Sequence, residues 1–299
     1  MKRTFKILIS GFLALFFCVY LCLGFIVEPG RMFLFYMAQI IFPLVFILTL
    51  LGGLISMGVR KRWRSKTSWL FIGLTFLLAA LPILRGMVGI SYTAKIDKTQ
   101  PQLTMRVPFD EPTKIAWGGD KVKNNYHAAH ADQRWAYDMA PEPGGVSSEK
   151  LEDYGCYGAI IVAPVNGTIL KTYDQDPDQI PNQIEQNFKT ILGNHIILQP
   201  DGYEENEVLV FAHLKPGSIE VAQNDTVTSG QPIAACGNSG NTTEPHLHIH
   251  FMKALTPDYD FGYGLPLFIS HSGGEKTMPK GGYEIINDQT VWTGEIIEP

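Results

Sequence analysis

The sequence predicts three transmembrane helices in residues 1–92, followed by an all-β domain outside the cytoplasm. Three observations predict this fold class: long uncharged apolar runs near the N-terminus, positively charged loops between them, and short β-branched runs separated by turns in the remainder. We expect a connector at residues 93–109, the β domain at residues 110–270 and a C-terminal tail at residues 271–299. No role for the tail follows from its sequence.

Each of three apolar runs approaches the roughly 20 residues that a helix needs to cross a bilayer. They cover residues 7–27, 32–59 and 67–92, the last with Arg85 near its end. Lys and Arg residues cluster before the first run and at residues 60–66, between the second and third runs. Because positive loops stay in the cytoplasm, the N-terminus should be cytoplasmic and the β domain extracytoplasmic. The sequence therefore predicts a multi-pass protein of the cell membrane.

Charge is distributed unevenly along the chain. The first 91 residues hold ten Lys and Arg residues and one acid, Glu28, which leaves 14 basic and 28 acidic residues, a net charge of −14, in residues 92–299. An acidic domain repels phosphate, so we expect no nucleic-acid partner. All eight histidines lie in this acidic part, which is where metal or catalytic chemistry is expected.

Two of the four cysteines, Cys156 and Cys236, lie in the acidic part. In an oxidising compartment they could form a disulfide. The sequence does not give the distance between them, so a bridge and two free thiols are both open.

Beyond the connector the sequence is typical of a β-sheet protein. Short runs of β-branched and aliphatic residues occupy residues 158–163, 167–170, 195–198 and 207–212. Asn-Gly, Pro-Gly and Ser-Gly turns separate such runs, which predicts short strands in an all-β domain. The polar, acidic residues 172–190 interrupt the pattern and predict a long loop or a short surface helix, which could lie over a groove.

The strongest local pattern is Pro245-His246-Leu247-His248-Ile249-His250, in which three histidines alternate with aliphatic residues. On a strand, residues two apart share a face, so the imidazoles would line one surface while Leu247 and Ile249 point into the core. Neutral imidazole nitrogens held on a rigid element suit zinc. An ordinary exposed strand also alternates polar and apolar residues, but three successive imidazoles favour a metal site.

A zinc site on this strand needs further ligands from elsewhere in the chain. A catalytic zinc usually keeps three protein ligands and one open position, and a separate base handles protons. The acidic part offers these candidates: His127, His130, Asp132, Asp138, His195 and His213.

Residues 158–251 resemble the core of the M23 metallopeptidases, the lysostaphin/LytM-like peptidoglycan endopeptidases. Residues 163–169 resemble the family's APxxGxV turn, and residues 193–198 followed by 211–214 resemble its GNxVxI and YxHL segments. Residues 224–248 resemble its GxxVxxGQxI and PHLH ending. The resemblance as a whole covers roughly residues 110–255, about half of the chain. The resemblance implies antiparallel sheets that form a groove.

The resemblance also implies roles for individual residues. The family holds zinc with an HxxxD pair and the second histidine of HxH, which implies that Asp138 and His248 are zinc ligands. By the same resemblance His246 is the general base, and His213 polarises the water or stabilises the developing oxyanion. His250 is expected to orient His248 rather than to bind zinc.

The sequence departs from the family at the histidine of the HxxxD pair, because Arg134 stands four residues before Asp138. Either His127 or His130 could replace the missing ligand. We favour His127 because it ends a Tyr-containing segment that predicts a strand, whereas His130 follows two alanines and predicts a turn. A site in which no histidine replaces Arg134 would be inactive.

We therefore expect a membrane-anchored zinc metalloendopeptidase, and the resemblance implies peptide bonds of peptidoglycan cross-links or stem peptides as its substrate. Another peptide substrate remains an alternative. The rival hypothesis is a non-catalytic LytM-like domain that binds and regulates a cell-wall hydrolase. The retained aspartate and histidines argue against this rival, whereas Arg134 argues for it. A zinc-binding envelope sensor is a third hypothesis, which the few polar residues in the apolar runs disfavour.

Overall fold

The structure is a computed structural model that describes most of the chain beyond residue 91 and isolated stretches before it. The described residues are 26, 28–36, scattered positions between 44 and 76, 92–183, 188–270, 276–287 and 289–299. They divide into two compact units, Met1–Thr93 and Ala94–Pro299.

The described residues of the first unit include a short helical stretch at residues 30–36. It starts in the loop that the sequence predicts between the first two spans. Its Arg31 is held locally, because Nε donates a hydrogen bond to the carbonyl oxygen of Ile26 at 2.7 Å and the guanidinium lies 3.6 Å from the carboxylate of Glu28.

The prediction of three transmembrane helices at about residues 7–27, 32–59 and 67–92 is wrong for the part of the chain that the structure describes. No helix in that part is long and apolar enough to cross a membrane. Most residues of the predicted spans lie outside the described residues. The length of an uncharged run measures how readily a segment leaves water, not whether it forms one continuous helix. The predicted contact with a membrane through three helices is therefore not supported either. The β-sheet part of the predicted fold class is supported.

The described part of the second unit consists of short strands and three 3₁₀ turns. The strands are β1 (Leu103–Met105), β2 (Thr113–Trp117), β3 (Tyr137–Pro141), β4 (Ile160–Val162), β5 (Gly167–Tyr173), β6 (Asn194–Pro200), β7 (Glu207–Leu214), β8 (Thr226–Val227), β9 (Pro232–Ala235), β10 (Leu247–Ala254), β11 (Gly262–Gly264), β12 (Leu267–Ser270), β13 (Lys276–Thr277), β14 (Tyr283–Ile286), β15 (Gln289–Trp292) and β16 (Ile296–Ile297). The 3₁₀ turns cover Ile96–Lys98, Tyr126–Ala129 and Leu151–Asp153.

Nine of the described strands form one sheet in the order β16-β2-β3-β10-β7-β6-β5-β8, with β11 paired to β10. The neighbouring strands of this sheet are antiparallel. Smaller groups of strands flank it in the orders β1-β12-β13, β4-β9 and β14-β15. The all-β prediction for the domain is thereby confirmed, and β4 to β7 form in the four runs that the sequence singled out.

Strand β10 shows how the sequence sets the two faces of the sheet. Leu247, Ile249 and Phe251 are buried in the main core, and His248 and His250 alternate with them. Burying one such apolar side chain contributes about 1.5–3 kcal/mol. Because a slip of one residue would turn all three core side chains outward, the core also fixes which way the histidines face.

The C-terminal residues complete the sheet rather than leaving it. Strand β16 forms one edge of the sheet and pairs with β2, with Ile297 opposite Thr113. Trp292 and Ile297 are 3% and 2% exposed and belong to the main core. Residues 276–299 thus contribute core side chains and an edge strand that the sequence alone did not assign.

A disulfide joins Cys156 to Cys236, with a sulfur–sulfur distance of 2.02 Å. Of the two states that the sequence left open, the structure has the bridged one. The bond lies at one end of the β4-β9 pair, where Ile160 is opposite Ala235. It thereby ties the segment after β9 to the segment before β4.

Candidate metal centre

The register of β3 and β10 brings the first two predicted ligands together. These strands are antiparallel, and His248 lies directly opposite Asp138. Directly opposite residues on antiparallel strands have side chains close enough to interact. The Nδ1 atom of His248 is 2.8 Å from Oδ1 of Asp138. Both residues are buried, with 3% and 4% of their surface exposed.

His127 reaches the same carboxylate from a 3₁₀ turn, Tyr126–Ala129, and not from the strand that the sequence predicted. Asn125 caps this turn: its Oδ1 accepts a hydrogen bond from the backbone N–H of His127 at 3.2 Å. The Nδ2 of Asn125 donates to the carbonyls of Gly119 and Ala136, which anchors the cap. As a result, Nε2 of His127 lies 2.9 Å from Oδ2 of Asp138.

The structure therefore brings His127, and not His130, to the predicted ligands. His130 is the residue after the turn and is exposed. Arg134, which replaces the family's histidine, points elsewhere: its Nη2 lies 2.8 Å from the carboxylate of Asp120, and its Nη1 donates to the backbone carbonyl of the same residue. Arg134 is therefore an ion-pair partner of Asp120.

The donor atoms of His127, Asp138 and His248 all lie within 4.8 Å of one another. Two imidazole nitrogens and one carboxylate oxygen, all buried, form a donor set that fits zinc. The outer nitrogens are also held. Nδ1 of His127 lies 2.9 Å from the amide oxygen of Gln133, so this nitrogen carries the proton and leaves the Nε2 lone pair facing inward. Nε2 of His248 similarly lies 2.9 Å from Nδ1 of His250.

His213 and His246, the predicted proton-handling residues, lie beside this group. Their ring centroids are 4.9 Å apart. Nδ1 of His213 lies 2.8 Å from the carbonyl oxygen of Ser239, and Nδ1 of His246 lies 2.8 Å from that of Glu244. A carbonyl oxygen can only accept a hydrogen bond, so Nδ1 carries the proton in both rings and Nε2 is free to accept one. Nε2 of His246 lies 3.7 Å from Oδ1 of Asp138.

The backbone at His213 is unusual for a residue other than glycine. Its φ of +64° falls in the left-handed region. Hydrogen bonds on both sides hold it there, because its N–H donates to the carbonyl of Leu192 and its carbonyl accepts from the N–H of Gly237. Strain of this kind costs about 1–3 kcal/mol and persists only where the surroundings impose it. Here it fixes the direction of the His213 ring.

The environment separates the protonation states of the site. Burial alone would raise the pKa of Asp138, but the neighbouring imidazoles of His127, His246 and His248 hold that pKa well below its usual value. Burial, reinforced by His246 and His248, holds the pKa of His213 well below its usual value. Burial also lowers the pKa of His248. These shifts favour an ionised carboxylate at Asp138 and neutral imidazoles at His213 and His248. A carboxylate and a neutral imidazole are the forms that ligate a metal.

The site opens into a cleft of about 370 Å³. Its titratable lining residues, apart from tyrosines, are Asp138, His213, Glu244 and His246. Its aromatic lining residues are Trp117, Tyr126, Tyr283 and Trp292. The cleft is thus acidic and aromatic in character, and its walls include the C-terminal segment.

The remaining predicted candidates lie outside the ligand group. Nδ1 of His195 donates a hydrogen bond to the carbonyl of Gly193, 2.7 Å away, and the ring stacks on Tyr173. Nδ1 of His250 lies 2.9 Å from Nε2 of His248, which is compatible with the expected role of orienting His248. Sequence reasoning missed Gln133, although it stands six residues after His127. It also missed Glu244, which directly precedes the Pro-His-Leu-His segment. Its position in the sequence does not indicate that its side chain is buried and lines the cleft.

Residues 150–260 match the family described as Peptidase family M23, a range that includes His213, His246 and His248 but neither His127 nor Asp138. No curated protein matches the sequence of the chain.

Three similar solved structures are each less than 25% identical to the chain. A zinc-containing peptidase from Vibrio cholerae is 19% identical, with a TM-score of 0.31 over 50% of this chain and 37% of the other. The catalytic domain of the prophage-encoded M23 protein EnpA from Enterococcus faecalis is 18% identical, with a TM-score of 0.33 over 54% and 94%. The catalytic domain of lysostaphin from Staphylococcus simulans is 18% identical, with a TM-score of 0.30 over 51% and 86%. The chain thus spans about a third of the Vibrio cholerae peptidase.

Proposed function

We propose, from the premise that residues 150–260 form a Peptidase M23 domain, that this chain is a zinc-dependent endopeptidase acting on peptide bonds of peptidoglycan. The observation that carries the proposal is the convergence of donor atoms of His127, Asp138 and His248 within 4.8 Å of one another, beside an open cleft that Asp138 lines. His127 supplies the imidazole that the sequence lacks at Arg134. That substitution was the one feature in favour of a non-catalytic binding domain.

His127, Asp138 and His248 would hold the zinc. When bound, zinc supplies Lewis acidity, which polarises a carbonyl and acidifies water. Gln133 and His250 keep the two imidazoles in the tautomer and orientation that ligation requires. This arrangement gives each of the two ligand histidines its own supporting contact.

His246 is the general base of the proposed reaction. Its Nδ1 proton is held by the carbonyl of Glu244, which leaves Nε2 to take a proton from the attacking water. The same proton then passes to the leaving amine nitrogen as the peptide C–N bond breaks, so that His246 returns to its neutral state. The nearby carboxylate of Asp138 favours the transient positive charge on His246.

His213 is better suited to orienting the water than to stabilising an oxyanion. An oxyanion needs a donor, but Nδ1 of His213 already carries the proton and Nε2 is an acceptor. A second proton would make the ring an imidazolium, which burial disfavours by lowering the pKa. Of the two roles that the family resemblance implied, we therefore assign the acceptor role to His213.

We place the domain outside the cytoplasm, where peptidoglycan lies. The support for this location is the disulfide between Cys156 and Cys236, because such bonds persist in oxidising compartments.

The test combines zinc analysis with cell-wall digestion on the purified full chain. We expect one zinc per chain and release of new amino groups from purified peptidoglycan by the wild type. The His127→Ala variant should lose both, whereas the matched His130→Ala variant, altered at an exposed histidine outside the site, should keep both. Folded wild-type protein that takes up no zinc would overturn the proposal and favour a binding domain.

A further inference from the structure

The cleft beside the metal centre has an aromatic and acidic wall that the proposed hydrolysis does not use. Building on the proposed function, we propose that this wall is a substrate subsite for a primary ammonium group on an aliphatic chain. Glu244 would receive the ammonium group, and the rings of Trp117, Tyr126 and Tyr283 would pack against its alkyl chain.

Three aromatic rings form one continuous surface in the cleft. Trp117 and Tyr283 are stacked, with centroids 5.1 Å apart and an angle of 21° between the rings. Tyr126 meets Trp117 edge-on, also at 5.1 Å, and is 44% exposed. Faces of Trp and Tyr rings attract cations and pack well against alkyl chains. An open surface of this kind can contact both the alkyl chain and the ammonium group of an alkylammonium substrate.

Glu244 supplies a negative charge in the same cleft as these rings. It is 6% exposed, lines the cleft, and its Oε1 accepts a hydrogen bond from Nε1 of Trp292 at 2.9 Å. Burial raises the pKa of this carboxyl, and hydrogen bonds from Trp292 and the backbone of Gly145 act in the opposite direction. No ion pair within the described residues includes Glu244, so a cation from the substrate would complete its surroundings.

The charges of the cleft select against an anionic side chain. Two carboxylates, Asp138 and Glu244, line the cleft, whereas no Lys or Arg occurs among its described lining residues. Asp138 is engaged by the ligand histidines, which leaves Glu244 as the carboxylate that can recognise substrate. A neutral side chain would leave that carboxylate buried without a cation.

The position of Glu244 relates the subsite to the reaction. Its backbone carbonyl holds Nδ1 of His246, so the subsite directly adjoins the proposed base. The ring centroid of Tyr126, at the aromatic part of the wall, lies 3.9 Å from that of the proposed ligand His127. The ammonium group would therefore belong to a residue close to the scissile bond rather than to a distant part of the substrate.

Most of the wall comes from outside the matched M23 range. Trp117 and Tyr126 precede residues 150–260, and Tyr283 and Trp292 follow them. Trp292 is held tightly, because a Cβ added at Gly144 would lie 2.6 Å from its ring. The flanking segments thus build a rigid wall, and only Glu244 belongs to the matched range.

The binding test uses the zinc-loaded full chain and two small probes, Nα-acetyl-lysine methylamide and its Nε-acetylated counterpart. Binding is followed by the indole N–H signals of the tryptophans in NMR spectra, one of which donates to Glu244 itself. We expect the free amine to bind at least about tenfold more tightly, as for one charge-assisted contact. Glu244→Gln, which keeps an oxygen for Trp292, should remove the preference. The exposed Glu298→Gln, with the same loss of charge, should preserve it.

A digestion test separates the subsite from the proposed reaction and identifies the source of the amine. Peptidoglycan with free amino groups, the same material after acetylation, and a lysine-rich unfolded protein are compared as substrates. Faster cleavage of the free-amine peptidoglycan supports a cell-wall amine, and faster cleavage of the protein supports a lysine side chain. Equal binding of the two lysine probes by the wild type would overturn the subsite, whatever the digestion shows. Selective binding without any cleavage would support the subsite and overturn the proposed reaction.

Discussion

His246 and His248 stand two residues apart but differ in what holds their ring nitrogens. His248 has both nitrogens engaged, with Nδ1 2.8 Å from Asp138 and Nε2 2.9 Å from His250. His246 has only Nδ1 held, by the carbonyl of Glu244. One ring is therefore part of the ligand group, and the other keeps a nitrogen for proton transfer.

This difference predicts a separable effect of the His246→Ala substitution. The variant should retain zinc because all three proposed ligands remain. Its kcat should fall by about 10²–10⁴, the usual contribution of a positioned general base. Elemental analysis and steady-state kinetics on the same sample measure the two effects. His248→Ala, by contrast, should lose zinc, and a fully active His246→Ala enzyme would refute the assigned role.

At the residue scale, the sequence predicted the residues that converge in space but not all of their surroundings. The alternating histidines and Asp138 could be found because spacing on a strand and resemblance to a family both indicate them. His127 was favoured over His130, yet for a strand that proved to be a 3₁₀ turn capped by Asn125. Trp292 was missed because it meets Glu244 across 48 residues of sequence, a contact that no local pattern encodes.

At the scale of elements, the loop after β9 and the turn before β6 fit together backbone to backbone. Gly193 has a φ of +60°, and a Cβ added there would lie 2.3 Å from the carbonyl carbon and oxygen of Ser239. That same carbonyl oxygen accepts the hydrogen bond from Nδ1 of His213. Close approach at one glycine thus sets the position of a group that orients a site residue.

The Gly193→Ala substitution should therefore affect both stability and activity. A side chain in the left-handed region costs about 1–2 kcal/mol, and overpacking against Ser239 adds about 1–3 kcal/mol. Gly202→Ala is the matched control, because Gly202 has a φ of +85° but no atom within 4 Å of an added Cβ. Urea unfolding should show the larger loss for Gly193→Ala, and only this variant should lower kcat. Equal effects of the two substitutions would contradict the proposed contact.

The length of an element decided how well the sequence predicted it. Strands β5, β6 and β7 have seven or eight residues and lie in runs of β-branched and aliphatic residues. Strands β8, β13 and β16 have two residues each, too few to show alternation. Such short strands form because a neighbouring strand offers hydrogen bonds, so tertiary structure and not local sequence determines them.

At the scale of the whole molecule, the functional unit is larger than the segment that matches a known family. Residues 150–260 match Peptidase family M23, but two proposed ligands precede this range and two aromatic residues of the cleft follow it. The segment predicted as a C-terminal tail is joined to the sheet through β16, which pairs with β2. Strand β2 pairs in turn with β3, which carries Asp138.

This connection predicts that the last residues stabilise the whole domain. Ile296 and Ile297 are neighbours on β16, but Ile296 is 51% exposed and Ile297 is 2% exposed and part of the main core. Ile297→Ala should lower the free energy of unfolding by about 2–4 kcal/mol, because it removes buried methyl groups and leaves a cavity. Ile296→Ala removes the same atoms from a largely exposed site and should change it by less than about 0.5 kcal/mol. Urea unfolding of both variants measures the difference. If neither substitution changed the free energy of unfolding, β16 would not stabilise the domain. The pairing of β16 with β2 would then not explain what holds Tyr283 of β14 and Trp292 of β15 in the cleft wall.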